Sequence, residues 1–403
     1  MARRRVFVTG LGAVSAAGIG VEALWRAART GRSGIGRVLL SREGSNHVRI
    51  AAQLRDFRPE QFIDPKVLPY CDRFSQFALA AADEALTQAG LGAERRLGDR
   101  TGIIVGTAVG GITTVDELCF TDFVLKARTD RLAVLRIMGS SAASQIGMRY
   151  GCTGPTLAVT SACASGAQAI GMSCFLIRAG IIDRAIAGGS DSTLTALNIR
   201  AWETLRVLTP DVTRPFSIGR NGMVLGEGAA LFVLESERAT HERGATPLVE
   251  VAGYGTTSDA FDIARPDAEG PAAAMRAAIA DAGLVPEQID YVNAHGTGTI
   301  ANDIAEAEAL RQVFGAGLRK LAVSSTKPIH GHTLGAAGAV ELAVTVMALR
   351  DGIAPPTINW LGIDPKIDIE PVPNEARSLP IRNALSNSFA FGGINASLVV
   401  TQA

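Results

Sequence analysis

An apolar, β-branched run, Thr156-Leu157-Ala158-Val159-Thr160, ends abruptly in the small residues Ser161-Ala162-Cys163-Ala164-Ser165-Gly166. Ala167, Ile170, Cys174 and Ile177 then recur at helical spacing. The pattern predicts a strand, a tight turn and a helix, with Cys163 at the helix N-terminus. The helix dipole there favours a thiolate over the ordinary thiol pKa of about 8.5. This is the layout of a nucleophile elbow with sulfur in place of oxygen. The alternative is an inert buried cysteine, the expectation for Cys71, Cys119, Cys152 and Cys174.

Three of the five histidines lie in two glycine-flanked loops after strand-like segments, one around Asn293-Ala294-His295-Gly296-Thr297-Gly298-Thr299. The other runs Ser325-Thr326-Lys327-Pro328-Ile329-His330-Gly331-His332. Glycine beside histidine lets a substrate approach the ring closely. His330 and His332 also have the spacing of a metal pair, but no third ligand stands at a convincing distance along the chain. Next comes an apolar helix, from about Leu334 to Leu349, with Glu341 inside it. A buried carboxylate needs a cation or donors, and Lys327 is the candidate. Otherwise Glu341 is a first-turn glutamate still touching water. Near the C-terminus, Asn387-Ser388-Phe389-Ala390-Phe391-Gly392-Gly393 is either a loop whose amides hold an oxyanion and whose phenylalanine gates a pocket, or a hairpin turn with core phenylalanines.

The elements that must position these residues alternate between strand-like and helix-like, as in α/β folds. At 403 residues, 47% hydrophobic and 19% charged, the chain has ample material for a large core and two or three domains. Lys+Arg and Asp+Glu are both 39, so no basic excess points to nucleic acid or an anionic membrane. Five cysteines without a CxxC spacing argue against disulfides or structural zinc and for a reducing cytoplasm. Arg3-Arg4-Arg5 followed by Val6-Phe7-Val8 has the look of a signal peptide. Gly10, Gly12, Gly18 and Gly20 break any apolar helix there, and no run is long enough to span a bilayer. Gly10-Leu11-Gly12 lacks the third glycine and the later acidic residue of a dinucleotide loop, so NAD is not expected.

Two echoes indicate duplication. The helix end Ala85-Leu86-Thr87-Gln88-Ala89-Gly90-Leu91 returns as Ala278-Ile279-Ala280-Asp281-Ala282-Gly283-Leu284, and Leu157-Ala158-Val159-Thr160-Ser161 returns as Leu321-Ala322-Val323-Ser324-Ser325. The second echo lies at the shorter offset, which places extra residues in the first half, near 112–150. The polar stretch Ser236 to Pro247 joins the halves, dividing the chain into 1–245, with Cys163, and 246–403, with His295 and His332.

With VFVTGLGAVSAAG, SACASG, NAHGTGT, STK, GHTLGAAGAVE and NSFAFGG in this order over essentially the whole length, the chain resembles the elongating β-ketoacyl-[acyl-carrier-protein] synthases, similar to bacterial synthases I and II of the thiolase superfamily. The resemblance implies an α/β, thiolase-like fold, its duplicated halves stacked as a five-layer αβαβα sandwich, in a homodimer. It implies that Cys163 takes an acyl chain from acyl carrier protein and that His295 and His332 bind the malonyl thioester and assist loss of carbon dioxide, giving a 3-oxoacyl chain two carbons longer in fatty acid or specialised acyl biosynthesis. Lys327 and Glu341 would be the supporting pair. The amides of Cys163 and Phe391 would form the oxyanion hole, Thr297 and Thr299 would hold the pantetheine arm, and Val109, Trp202, Phe389 and the Leu132 to Met138 stretch would border the acyl pocket. No cofactor is implied. Asn293, Glu341, Ser386 and Asn387 match a place where relatives can hold a monovalent cation, and no other metal is expected. Carrier protein is acidic, and Lys66, Lys126, Arg128 and Arg131 are the candidate patch for it, unless they are ordinary solvated charge.

Several positions depart from the usual pattern. Ser217 and Asn221 stand where aspartates are common, Ala390 where glycine is, and Ile394 where threonine is. A non-catalytic partner subunit of the chain-length-factor kind would have lost the nucleophile. A degradative thiolase would carry a second cysteine near the C-terminus, yet none follows Cys174. No Cys-His-Asn protease signature is evident.

Overall fold

Strands buried on both faces read as near-continuous apolar runs, and the longest such runs here become the middle of a sheet. The computed structural model describes residues 4–42, 44–92, 96–367 and 369–403, so Arg3 lies outside the described residues. In the first half β1 (Val6–Ser15), β2 (Thr101–Gly106), β3 (Thr156–Val159), β4 (Arg184–Asp191) and β5 (Gly228–Ser236) lie side by side as β3-β2-β4-β5-β1. In the second, β6 (Val249–Ser258), β7 (Tyr291–Asn293), β8 (Ala322–Ser324), β9 (Asn383–Ala390) and β10 (Ile394–Gln402) lie as β8-β7-β9-β10-β6. Each half thus follows the same order: third, second, fourth, fifth, first. In both, the second strand runs parallel to the third and fourth, and the remaining pairings are antiparallel. Phe7 opposite Glu250 and Val8 opposite Val249 join the halves edge to edge.

The helices are α1 (Val21–Thr30), α2 (Arg73–Gln88), α3 (Ile112–Cys119), α4 (Ala133–Ile137), α5 (Ser141–Tyr150), α6 (Ser165–Arg178), α7 (Ala196–Thr204), α8 (Glu237–Glu242), α9 (Glu269–Asp281), α10 (Ile300–Phe314), α11 (Lys327–His330) and α12 (Ala337–Asp351). Period-2 alternation sorts the strand residues between layers. Ile103 and Val105 pack outward on α2 and α5, whereas Ile104 faces the central core with α6 and α12. On the other side, Val292, Leu385 and Val399 pack outward on α9 and α10. The result is five layers, α2/α5, sheet, α6/α12, sheet, α9/α10, the thiolase-like sandwich. Every residue of α12 from Ala337 to Leu349 is buried. Its lack of a polar face follows from packing against both halves. Each Leu or Phe hidden in these layers stabilises the fold by about 1.5–3 kcal/mol relative to exposure.

Between β2 and α5 the first half carries α3, a π-helical turn (Phe120–Val124) and α4. The described residues between β7 and α10 hold no counterpart.

Candidate active site

The residues of interest gather at the carboxyl ends of strands. Cys163 follows β3, His295 follows β7, Lys327 and His332 follow β8, and Phe391 follows β9. The approach to Cys163 is bent by Ala162, which sits at φ 46°, a left-handed conformation unusual for a residue with a β-carbon. One 3-10 turn, Ala162–Ala164, then leads into α6, and Ser165 Oγ pins the turn by donating to Ala162 O and accepting from Ser161 N. The expected elbow is therefore present.

Cys163 Sγ lies 3.1 Å from His332 Nε2. The His295 and His332 rings stand edge to face with centroids 5.4 Å apart. The sulfur and one nitrogen of each ring all lie within 4.8 Å of one another. Two histidines and a cysteine more than a hundred positions before either of them thus meet around one point. They open onto a cavity of about 270 Å³ that Trp202, Thr297, Thr299, Phe389 and Phe391 also line.

Lys327 organises this centre from behind. Its buried Nζ donates to Glu341 Oε1, to His295 O and to His295 Nδ1, the last at 3.3 Å. An ammonium has only donors, so His295 Nδ1 accepts and the ring proton resides on Nε2. Glu341 is fully buried, not a first-turn residue touching water. Burial raises its carboxyl above the ordinary range, and the Lys327 charge pulls the other way. Burial, with help from Lys327, also holds both His295 and His332 well below the usual imidazole value, so both rings are neutral at pH 7.

One expectation is revised. The helix N-terminus suggested a thiolate, but enclosure dominates: burial pushes the Cys163 thiol up to about 12, against the pull of Lys327. The resting pair is a neutral thiol beside a neutral imidazole, and the proton has an acceptor at 3.1 Å. The His330–His332 metal pair does not form either. His330 Nδ1 donates to Gly331 O at 2.8 Å and its Nε2 meets Thr326 Oγ1 at 2.9 Å, so His330 is a satisfied core histidine.

Of the four residues matched to a monovalent-cation place, two fit. Asn293 Oδ1 and Glu341 Oε2 are buried without a hydrogen-bond partner among the described residues. Asn387 Oδ1 already accepts from Ser397 Oγ at 2.8 Å. Ser386 lies in register beside Asn293. Val109 is half exposed beyond β2. Trp202 stacks on Phe391, centroids 5.9 Å apart. Lys66, Lys126, Arg128 and Arg131 are all exposed. At the departures, Ser217 Oγ accepts from Leu361 N at 2.9 Å, and buried Arg220 bonds to Asp364 and approaches Asp303 to 3.7 Å, so its charge is met without an aspartate at 217.

Three buried acids around the site escaped the sequence reading. Glu306 accepts from the amides of His295 (2.8 Å) and Gly296 (2.7 Å). Asp303 accepts from Phe216 N and Gly298 N. Asp191 accepts from Thr107 Oγ1, Ala108 N and Gly335 N. Glu306 between alanines and Asp191 after a glycine pair give only a weak sequence signal, and Asp303, between Asn302 and Ile304, gives none.

The "Beta-ketoacyl synthase, N-terminal domain" model matches residues 3–239 and the "Beta-ketoacyl synthase, C-terminal domain" model residues 248–360. The chain belongs to the β-ketoacyl synthase family. It is 45% identical to nodulation protein E of Rhizobium sp. (strain N33) over 99% of both chains. It is 39% identical to 3-oxoacyl-[acyl-carrier-protein] synthase 2 of Coxiella burnetii, over all of this chain and 99% of that one. A ketosynthase solved with its type II polyketide acyl-carrier protein, bound to the hexaketide, superposes with a TM-score of 0.91 at 30% identity over the full length of both. This synthase is a condensing enzyme like the synthase 2 and nodulation protein E relatives. No helix among its described residues is long and apolar enough to cross a membrane.

Proposed function

We propose that this synthase catalyses decarboxylative Claisen condensation of an acyl thioester on Cys163 with malonyl-[acyl-carrier-protein], releasing 3-oxoacyl-[acyl-carrier-protein] extended by two carbons. The observation that carries this reading is the 3.1 Å contact of Cys163 Sγ with His332 Nε2, beside a His295 whose proton Lys327 holds on Nε2. The Cys163 sulfur attacks the acyl-carrier carbonyl as His332 takes its proton, which leaves with the departing carrier thiol. The tetrahedral oxyanion forms against the amides of Cys163 and Phe391. The Phe391 amide has no acceptor among the described residues, so it is free to bond. Malonyl-carrier then enters past Thr297 and Thr299. His295 donates its Nε2–H to the thioester carbonyl, joined by His332 once its ring proton has moved from Nδ1 to Nε2. The carbon–carboxylate bond breaks with release of carbon dioxide, and its electron pair forms an enolate. That carbon attacks the acyl-Cys163 carbonyl, the carbon–sulfur bond breaks, and the leaving Cys163 sulfur takes up one proton from solvent to return as the thiol. No redox cofactor enters this balance. A monovalent cation at Asn293 and Glu341 would offset the Glu341 charge.

All three members of the trio are present, which favours an active subunit over a chain-length-factor-like one. We divide the chain into thiolase-like halves at 1–245 and 246–403, with the insertion near 112–150 capping the first. The acyl pocket extends from Cys163 between Trp202 and Phe389, which line the cavity, toward Val109, which does not. The partner is acyl carrier protein, met by Lys66, Lys126, Arg128 and Arg131, and the relative solved with its carrier protein supports this. A cytoplasmic homodimer fits the apolar edge: β3 is the outer strand of the sheet with Leu157 exposed, and Phe123 and Val134 of the insertion are two-thirds exposed. The test is product mass spectrometry and carbon dioxide release with malonyl-carrier and a ladder of acyl-carriers. Two-carbon-longer 3-oxoacyl products support the proposal, and carbon dioxide with no lengthened product from any acyl-carrier overturns it.

A further inference from the structure

The duplication produced two elbows, and only one bears a nucleophile. Leu334 has φ 49°, matching Ala162 at 46°. Each begins a 3-10 turn, Leu334–Ala336 and Ala162–Ala164, that leads into a central helix, α12 and α6. Gly335 is therefore the counterpart of Cys163. A β-carbon on Gly335 would lie 2.3 Å from Ala108 N and 2.5 Å from Asp191 Oδ2, so no nucleophile fits there. The strands that face the two turns correspond as well. The end of β9, at Phe391, faces the first elbow, and the end of β4, at Asp191, faces the second.

At the second elbow the amides of Gly335 (2.6 Å) and Ala108 (2.8 Å) both donate to Asp191 Oδ2, and Thr107 Oγ1 donates to Oδ1 at 2.6 Å. Asp191 is fully buried. Its carboxylate lies where backbone amides converge on negative charge, as the first elbow does only while a tetrahedral intermediate exists. Charge-assisted bonds of this kind are about twice as strong as neutral ones. They tie β4 and the turn after β2 to the segment that begins two residues after His332.

We infer that Asp191 is a positioning residue for condensation, a built-in anion that locks the second elbow and thereby holds His332 against Cys163. The inference rests on the proposed reaction. Fixing His332 matters because misplacing a catalytic group by about 1 Å can cost about a hundredfold in rate.

The test compares Asp191→Ala and Asp191→Asn with the wild type and with His332→Ala. The readouts are malonyl-carrier decarboxylation, resolved into kcat and KM, and Cys163 alkylation by iodoacetamide. Asp191→Ala is expected to lose about a hundredfold in decarboxylation kcat with KM within about threefold. Asp191→Asn, which keeps a carbonyl acceptor but not the charge, is expected to lose about tenfold. Alkylation should slow in both variants, by no more than in His332→Ala, because a displaced His332 is a poorer acceptor for the Cys163 thiol proton. Should Asp191→Ala fail to fold, Asp191→Asn decides alone. Decarboxylation within twofold of wild type in Asp191→Asn, or alkylation at the wild-type rate in a variant whose decarboxylation has fallen, overturns the inference. A wild type that releases no carbon dioxide would instead indict the proposed reaction, and the wild-type arm alone reveals it.

Discussion

Replacing Lys327 by methionine keeps the unbranched stem and removes the ammonium, with its bonds to Glu341, His295 O and His295 Nδ1. Glu341 is then a fully buried carboxyl with no counter-charge, and it takes up a proton rather than remain ionised. Its ordinary value is 4.5, so at pH 7, which is 7 − 4.5 = 2.5 above it, keeping the proton costs about 3.4 kcal/mol at 1.36 kcal/mol per pH unit. At pH 5 the same product is about 0.7 kcal/mol. The sign follows from the direction of the shift. The folded carboxyl binds its proton more tightly than the unfolded one, so stability is lost as pH rises above 4.5. The reference is Lys327→Met/Glu341→Gln, which has no carboxyl to protonate. Urea unfolding of both variants at pH 5, 6 and 7 should show the single variant falling behind the double by about 1.4 kcal/mol per pH unit. A gap that does not change with pH, or a single variant more stable than the double at pH 7, would refute the buried-pair reasoning.

Cys163→Ala should abolish condensation while leaving malonyl decarboxylation measurable by carbon dioxide release, since the two imidazoles remain. Single alanine substitutions at His295 or His332 should lower decarboxylation by about 10²–10³-fold, measured with malonyl-carrier, and lower Cys163 acylation far less at His295 than at His332, which alone touches the sulfur. Arg128→Glu/Arg131→Glu should weaken carrier binding about tenfold at low salt and flatten its salt dependence, measured by titration calorimetry at two ionic strengths.

The fold was legible to the degree that its two halves still resemble each other. The echoed helix ends fall in α2 and α9 and the echoed strands in β3 and β8, each pair occupying equivalent places. Pairing order and register were not legible, because strands buried on both faces lack the alternation that reports which face meets which layer. Within the site, Cys163, His295 and His332 stood out because small residues and glycines clear space around them. Lys327 and Glu341 stood out because charge amid apolar sequence demands a partner. Glu306, Asp303 and Asp191 stayed hidden because their partners are largely backbone amides of remote turns, and amides leave no mark on sequence. The thiol state of Cys163 was misjudged for a related reason. A helix N-terminus is visible in one local segment, whereas the enclosure that outweighs it comes from both halves.

Peptide mapping of a single turnover tests the central assignment most directly. Enzyme loaded from a mass-tagged acyl-carrier should carry the tag on Cys163, and a chase with malonyl-carrier should remove it at the rate at which tagged 3-oxoacyl-carrier appears. A tag found on another residue, or one on Cys163 that the chase leaves in place while product forms, would contradict the reading.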